Sequence, residues 1–132
     1  YKNFASTNVF ISAFIDDMNY AYSACDILVA RAGATTIAEL LLLGIPSILI
    51  PSPFVAENHQ YHNAKSLIEN DAAIMIDDKD VSTKLAEVVK SLINNKEKIK
   101  TLKINSINMA HPNASGTIAE CAIKLAVNKN DR

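Results

Sequence analysis

A chain of 132 residues, 49% apolar and 20% charged, is long enough for one domain with a single core. No apolar run approaches the roughly 20 residues that span a bilayer, and a net charge of −1 argues against a nucleic-acid binder. No signal-peptide pattern opens the chain, and a start at Tyr1 reads as a piece whose beginning lies elsewhere. The charge is uneven: residues 1–78 hold three basic and nine acidic side chains, and 79–132 hold ten basic and five acidic. The basic half reads as solvated helix surface. Cys25 and Cys121 have no CxxC or Cys/His spacing around them and read as buried thiols in a reducing compartment.

In chain order, 8–11 (NVFI) reads as a strand, followed by FIDDM and a short helical stretch over 18–25. The run 27–30 (ILVA) is a second strand. Residues 36–43 form a helix stopped by Gly44, with Pro46 beyond it. Residues 47–50 (SILI) give a third strand, 59–70 a helix and 73–76 (AIMI) a fourth strand. Helices over 81–94, 96–109 and 115–128 close the chain. Within the first of these, Leu85, Val88, Val89 and Leu92 recur at helical spacing, the mark of a core stripe. Strands without polar alternation, set between helices, indicate a parallel sheet covered on both faces, hence an α/β fold.

In such a sheet ligands bind outside the carboxyl ends of the strands. FIDDM, RAGATT and PSPFVAENHQ each follow a strand, and right-handed crossovers bring these loops to one rim. Thr36 is a good N-cap, and Thr36 to Glu39 (TIAE) has the spacing of a capping box. The same turn has a second use. Its glycine admits a ligand to the backbone, and the first-turn amides attract phosphate. A glutamate one turn further in would repel that phosphate unless it points aside to a neutral partner such as sugar hydroxyls. A glycosyl nucleotide diphosphate supplies both groups. His59 and His62 are three apart, but no third metal ligand has a recognisable spacing. His62 reads as helix surface, while His59 and Gln60 stand where a helix begins at the rim. Asp16 and Asp17 diverge in direction, so N-capping of the next helix is favoured over a catalytic carboxylate pair.

Taken in order, FIDDM, RAGATTIAEL, GIPSILIPSP and NHQYHNA closely resemble the C-terminal half of the MurG family of bacterial peptidoglycan N-acetylglucosaminyltransferases. The resemblance is strong from about residue 9 to 76 and weaker through the closing helices. It implies a partial C-terminal UDP-sugar-binding domain over 1–132: the parallel-sheet, Rossmann-like half of a GT-B enzyme, without the first strands of that domain and without the N-terminal acceptor domain. The implied activity is metal-free, cofactor-free, inverting transfer of GlcNAc from UDP-N-acetylglucosamine to undecaprenyl-pyrophosphoryl-MurNAc-pentapeptide (lipid I to lipid II). It would take place at the inner face of the bacterial plasma membrane.

Carried over position by position, the main chain at Ile15 would read the uracil edge. Ala34, Thr35 and Thr36 would hold the diphosphate, and Glu39 would accept from the ribose hydroxyls. His59 and Gln60 would address the sugar or diphosphate, with Gly33 and Arg31 supporting the loop. Some members have a glutamine where this chain has His59, which leaves that residue's own role open. No catalytic residue and no metal ligand falls on this part of the family pattern, so the polypeptide alone is expected not to transfer. The lipid-linked acceptor would bind through the N-terminal domain. In the strand order 3-2-1-4-5-6 the absent pair would lie between this chain's first and second strands. The resulting gap is expected to close by rearrangement, or by pairing with another chain through strand exchange or a homo-oligomer. Two further readings remain: the donor-binding subunit or domain of another UDP-sugar enzyme, such as a glycolipid glycosyltransferase, and a non-catalytic nucleotide-sugar-binding module.

Overall fold

In the computed structural model, which describes residues 8–130, three parallel strands lie side by side in chain order. They are β1 (Leu28–Ala30), β2 (Ser47–Leu49) and β3 (Ile74–Met75). Leu28, Val29 and Ala30 pair with Ser47, Ile48 and Leu49, and Ile48 and Leu49 pair in turn with Ile74 and Met75. The residues before 8 and after 130, which the domain assignment takes in, lie outside the described residues.

Alternation along the central strand separates two cores. Leu49 faces a cluster with Ile37, Leu40, Ala64 and Leu67 of helices α2 (Ala34–Leu43) and α3 (His59–Glu69). Ile48 and Ile50 face the other way, into Ile76, Leu92 and Leu102. Leu92 and Leu102 belong to α4 (Val81–Ile93) and α5 (Lys96–Met109). Leu85, Val88 and Val89 pack onto this second cluster, as their spacing predicts. Ile48 and Leu49 are wholly buried, each contributing about 1.5–3 kcal/mol. The arrangement is a helix–sheet–helix sandwich around a parallel sheet, the α/β class expected. Among the described residues no helix is long and apolar enough to cross a membrane.

Three expectations need correction. Residues 8–11 do not form a strand: Val9 makes an isolated bridge and the rest is irregular, with Phe10 87% exposed. A strand exists only where a neighbour takes up its backbone groups in register, and one bridge is no ladder. Among the described residues the sheet therefore has three strands, in the order β1-β2-β3. Second, the helix expected from Thr36 begins two residues earlier, at Ala34, with Gly33 as its N-cap. Thr36 lies inside it. Third, Cys121 is exposed on α6 (Ala114–Asn130) and Cys25 is half-buried. α6 leaves Ile118 and Leu125 open, so no core exists there to take in a thiol.

Asp16 and Asp17 divide as expected. The Asp17 carboxylate accepts the Tyr20 amide at 3.0 Å and starts α1 (Met18–Ser23). The other end of α2 shows a glycine that cannot be exchanged. Gly44 has φ +62°, and a Cβ there would meet Ile107 Cδ1 and Cγ1 of α5 at 2.7 Å. Gly44→Ala is therefore expected to lose about 1–3 kcal/mol of stability, read as a lower denaturant midpoint with an unchanged slope.

Candidate functional site

The loop after β1 is shaped by where α2 starts. Gly33 sits in extended backbone (φ −69°, ψ 144°) without a side-chain cap, and the first helical bond runs from the Ile37 amide to the Gly33 carbonyl at 2.9 Å. The amides of Ala34, Thr35 and Thr36 precede that bond and have no capping side chain. This is the unsatisfied, electropositive end of a ten-residue helix. A Cβ on Gly33 would meet only Thr36 Oγ1, at 3.8 Å. Neither its backbone angles nor its packing demands glycine, so the space above it is open.

Arg31 ties the rim together. Its Nη1 donates to Asp78 at 2.5 Å and to the Ile50 carbonyl at 3.3 Å, linking the ends of all three strands. The Arg31 side chain is 55% exposed, and an ion pair in that setting adds at most about 1 kcal/mol. Its effect is geometric. From the far side, Asn63 Nδ2 donates to the Ala32 carbonyl at 3.2 Å and holds α3 against the glycine turn. Beside this clamp, Arg31, Asp78, Ile50 and Ser82 line a cavity of about 530 Å³.

The loop after β2 carries unusual backbone. Glu57 and Asn58 both have φ 52°, a conformation that costs a glutamate more than an asparagine. Immediately beyond it, the Ser52 amide donates to Gln60 Oε1 at 2.9 Å, fixing the loop's start to α3 and leaving the Gln60 Nε2 face for other partners. His59 Nδ1 lies 2.8 Å from the Ala56 carbonyl. A carbonyl only accepts, so Nδ1 donates, which leaves Nε2 for other partners. Among the described residues no three His, Cys, Asp or Glu side chains come together as metal ligands. His62 instead meets Tyr61 edge to face.

Glu39 finds its partner outside its own helix end. It does not cap its own helix, since it stands six residues past Gly33. It accepts instead from the Tyr22 hydroxyl on α1, at 2.7 Å. The capping box is therefore not formed, and the carboxylate points aside to a neutral hydroxyl. Burial first, and then Glu39, push the Tyr22 phenol up to about 12. Ile15 is 43% exposed in the irregular segment before α1. Thr35, Thr36 and Glu39 fall on one face of α2 by helical spacing, while Ile15 lies outside that helix in the segment before α1. Tyr22, Asn63 and Asp78 hold the site in shape, and the sequence reading had given none of them a role. Their partners lie 17, 31 and 47 residues away, too far for any spacing rule.

The model of the glycosyltransferase family 28 C-terminal domain matches residues 1–118. The chain belongs to that family. A UDP-N-acetylglucosamine–N-acetylmuramyl-(pentapeptide) pyrophosphoryl-undecaprenol N-acetylglucosamine transferase of Desulforamulus reducens is 44% identical over 119 residues, 89% of this chain and 32% of the relative. One of the same name from Parabacteroides distasonis is 41% identical over 124 residues, 94% of this chain and 34% of the relative. A crystal structure of Acinetobacter baumannii MurG superposes with a TM-score of 0.76 at 28% identity, over 84% of this chain and 32% of that one. The resemblance to MurG and the partial GT-B fold expected from the motifs are thus borne out. The chain spans about a third of the length of these relatives.

Within this family 28 domain, the Tyr22–Glu39 bond predicts an alkaline titration. The folded phenol ionises above a free one, so the contact stabilises fully below the ordinary phenol pKa of about 10 and is lost as pH rises through about 12. Phenolate absorbance of the wild type minus that of Tyr22→Phe is expected to rise well above the free-phenol range. Glu39→Gln should move the rise down. An ordinary phenol titration in the wild type would refute the bond.

Proposed function

We propose that this chain is the donor-binding part of an inverting glycosyltransferase that moves GlcNAc from UDP-N-acetylglucosamine to undecaprenyl-pyrophosphoryl-MurNAc-pentapeptide. It would act at the cytoplasmic face of the bacterial plasma membrane. The observation that carries this reading is the uncapped start of α2 at Gly33, with open space above a glycine that the fold itself does not require.

In this assignment the diphosphate lies on the Ala34, Thr35 and Thr36 amides, aided by a threonine hydroxyl. As the sugar leaves, charge builds on the departing UDP, and the positive end of α2 meets it, the work a metal ion does elsewhere. Glu39 accepts from the ribose hydroxyls through the oxygen that Tyr22 does not occupy. The backbone at Ile15 addresses uracil. His59 Nε2 and Gln60 Nε2 face the sugar or diphosphate, the first accepting from a hydroxyl and the second donating. Arg31 and Asn63 hold the rim in shape. No side chain here is assigned as general base, and the acceptor would belong to the N-terminal domain. These 132 residues alone are expected to bind donor without transferring it.

Two substitutions test the reading by titration calorimetry. Gly33→Ala should keep stability within about 1 kcal/mol while weakening UDP-N-acetylglucosamine binding, because its methyl enters the space given to the diphosphate. Glu39→Ala should weaken binding about ten-fold or more, since hydrogen bonds to a charged group are worth about 1.5–3 kcal/mol. Unchanged affinity in both would remove the site from the α2 terminus. Equal affinity for UDP-glucose would point to a different donor, as in a glycolipid glycosyltransferase.

A further inference from the structure

Tyr22 stands outside every loop assigned to the donor, yet its hydroxyl is the partner of Glu39. We propose that Tyr22 is a positioning residue for the nucleotide's ribose: it holds Glu39 Oε2 and turns Oε1 toward the ribose diol, so that the site prefers ribose to deoxyribose. The inference rests on the reading of Glu39 as the ribose acceptor and names what makes that role work.

Free glutamate side chains rotate widely, and ordering one on binding costs affinity. Glu39 is exposed, six residues past the N-cap of α2, so no backbone amide of its own helix end restrains it. The Tyr22 ring supplies the restraint. It packs against the core cluster beneath α2 and brings only two side-chain torsions. A carboxylate offers lone pairs on both oxygens, so a bond at Oε2 leaves Oε1 whole. The phenol has no charge to add, and its raised pKa keeps it a donor through the physiological range. A lysine there would neutralise Glu39 and compete with the ribose for it.

The placement also couples two parts of one ligand. α1 starts at Met18 behind its N-cap Asp17, which stands two residues after Ile15, whose backbone is assigned to uracil. It ends at Ser23, just past Tyr22. One six-residue helix thus follows directly on the segment assigned to uracil and carries the ribose-setting hydroxyl near its end. Uracil and ribose are neighbours in the nucleotide, and the Tyr22–Glu39 bond sets their two binding elements at a fixed spacing.

Calorimetric titration of the protein with UDP and with 2′-deoxy-UDP tests this for wild type, Tyr22→Phe and Glu39→Gln. Tyr22→Phe keeps the packed ring and removes only the hydroxyl. It should weaken UDP binding about three- to ten-fold and 2′-deoxy-UDP, which keeps only the 3′-hydroxyl, by clearly less, so that the preference for ribose shrinks. An equal loss for both nucleotides would make Tyr22 merely structural and overturn the proposal. Tighter UDP binding by Tyr22→Phe would also overturn it, because the hydroxyl would then be standing in the ribose's place. A full ribose preference in Glu39→Gln would instead sink the role of Glu39 itself. Absence of UDP binding in the wild type would sink the proposed function, and this inference with it.

Discussion

β2 is the element on which the rest of the structure is set. It is buried from end to end, so each of its side chains must go into one of two cores, and a parallel neighbour must take its backbone on either side. Leu49 goes to the α2–α3 side, and Ile48 and Ile50 go to the α4–α5 side. With β1 and β3 parallel to it, right-handed crossovers put α2 and α3 on one face and all three strand exits on one rim. The site follows from that. Arg31 can reach the ends of all three strands only because they finish together.

The class of fold was legible because it rests on local patterns: apolar runs of strand length, helical stripes, and Gly44 and Pro46 as stop signals. The stripe at Leu85, Val88, Val89 and Leu92 needed no information from elsewhere in the chain. Residues 8–11 show the limit of that reasoning. NVFI has the composition of a strand, but a strand is a relation between two segments, and composition cannot report whether the second is there. Cys121 fails for a similar reason. Burial depends on what covers α6, and Ile118 and Leu125 are exposed along with the thiol.

Within the site, the residues that offer backbone were legible and those that hold the backbone in place were not. Gly33 to Thr36 announce a helix start by composition, although the start lies three residues earlier than the best capping residue would place it. Thr36 would have been a sound N-cap. The chain starts the helix at Gly33 instead, a cap that costs only about a few tenths of a kcal/mol against threonine and leaves three amides without a capping side chain. Tyr22, Asn63 and Asp78, by contrast, act across long separations, and only the folded chain brings them to their partners.

The orientation of Glu39 has an electrostatic reason as well as a geometric one. Five residues separate it from Ala34, about 7.5 Å along the helix axis. At that distance a carboxylate and one phosphate charge repel by about 0.5 kcal/mol in water and about 2 kcal/mol at an effective dielectric of 20. The helix terminus contributes about half a positive charge in return. A carboxylate swung back toward the terminus would cancel most of that attraction. Held by Tyr22 on the side of the helix, the same carboxylate keeps its distance from the amides and still presents an oxygen to neutral hydroxyls. The site can thus combine an anion-binding terminus with an anionic side chain, provided something other than the helix holds that side chain, and the phenol on α1 is placed to do it.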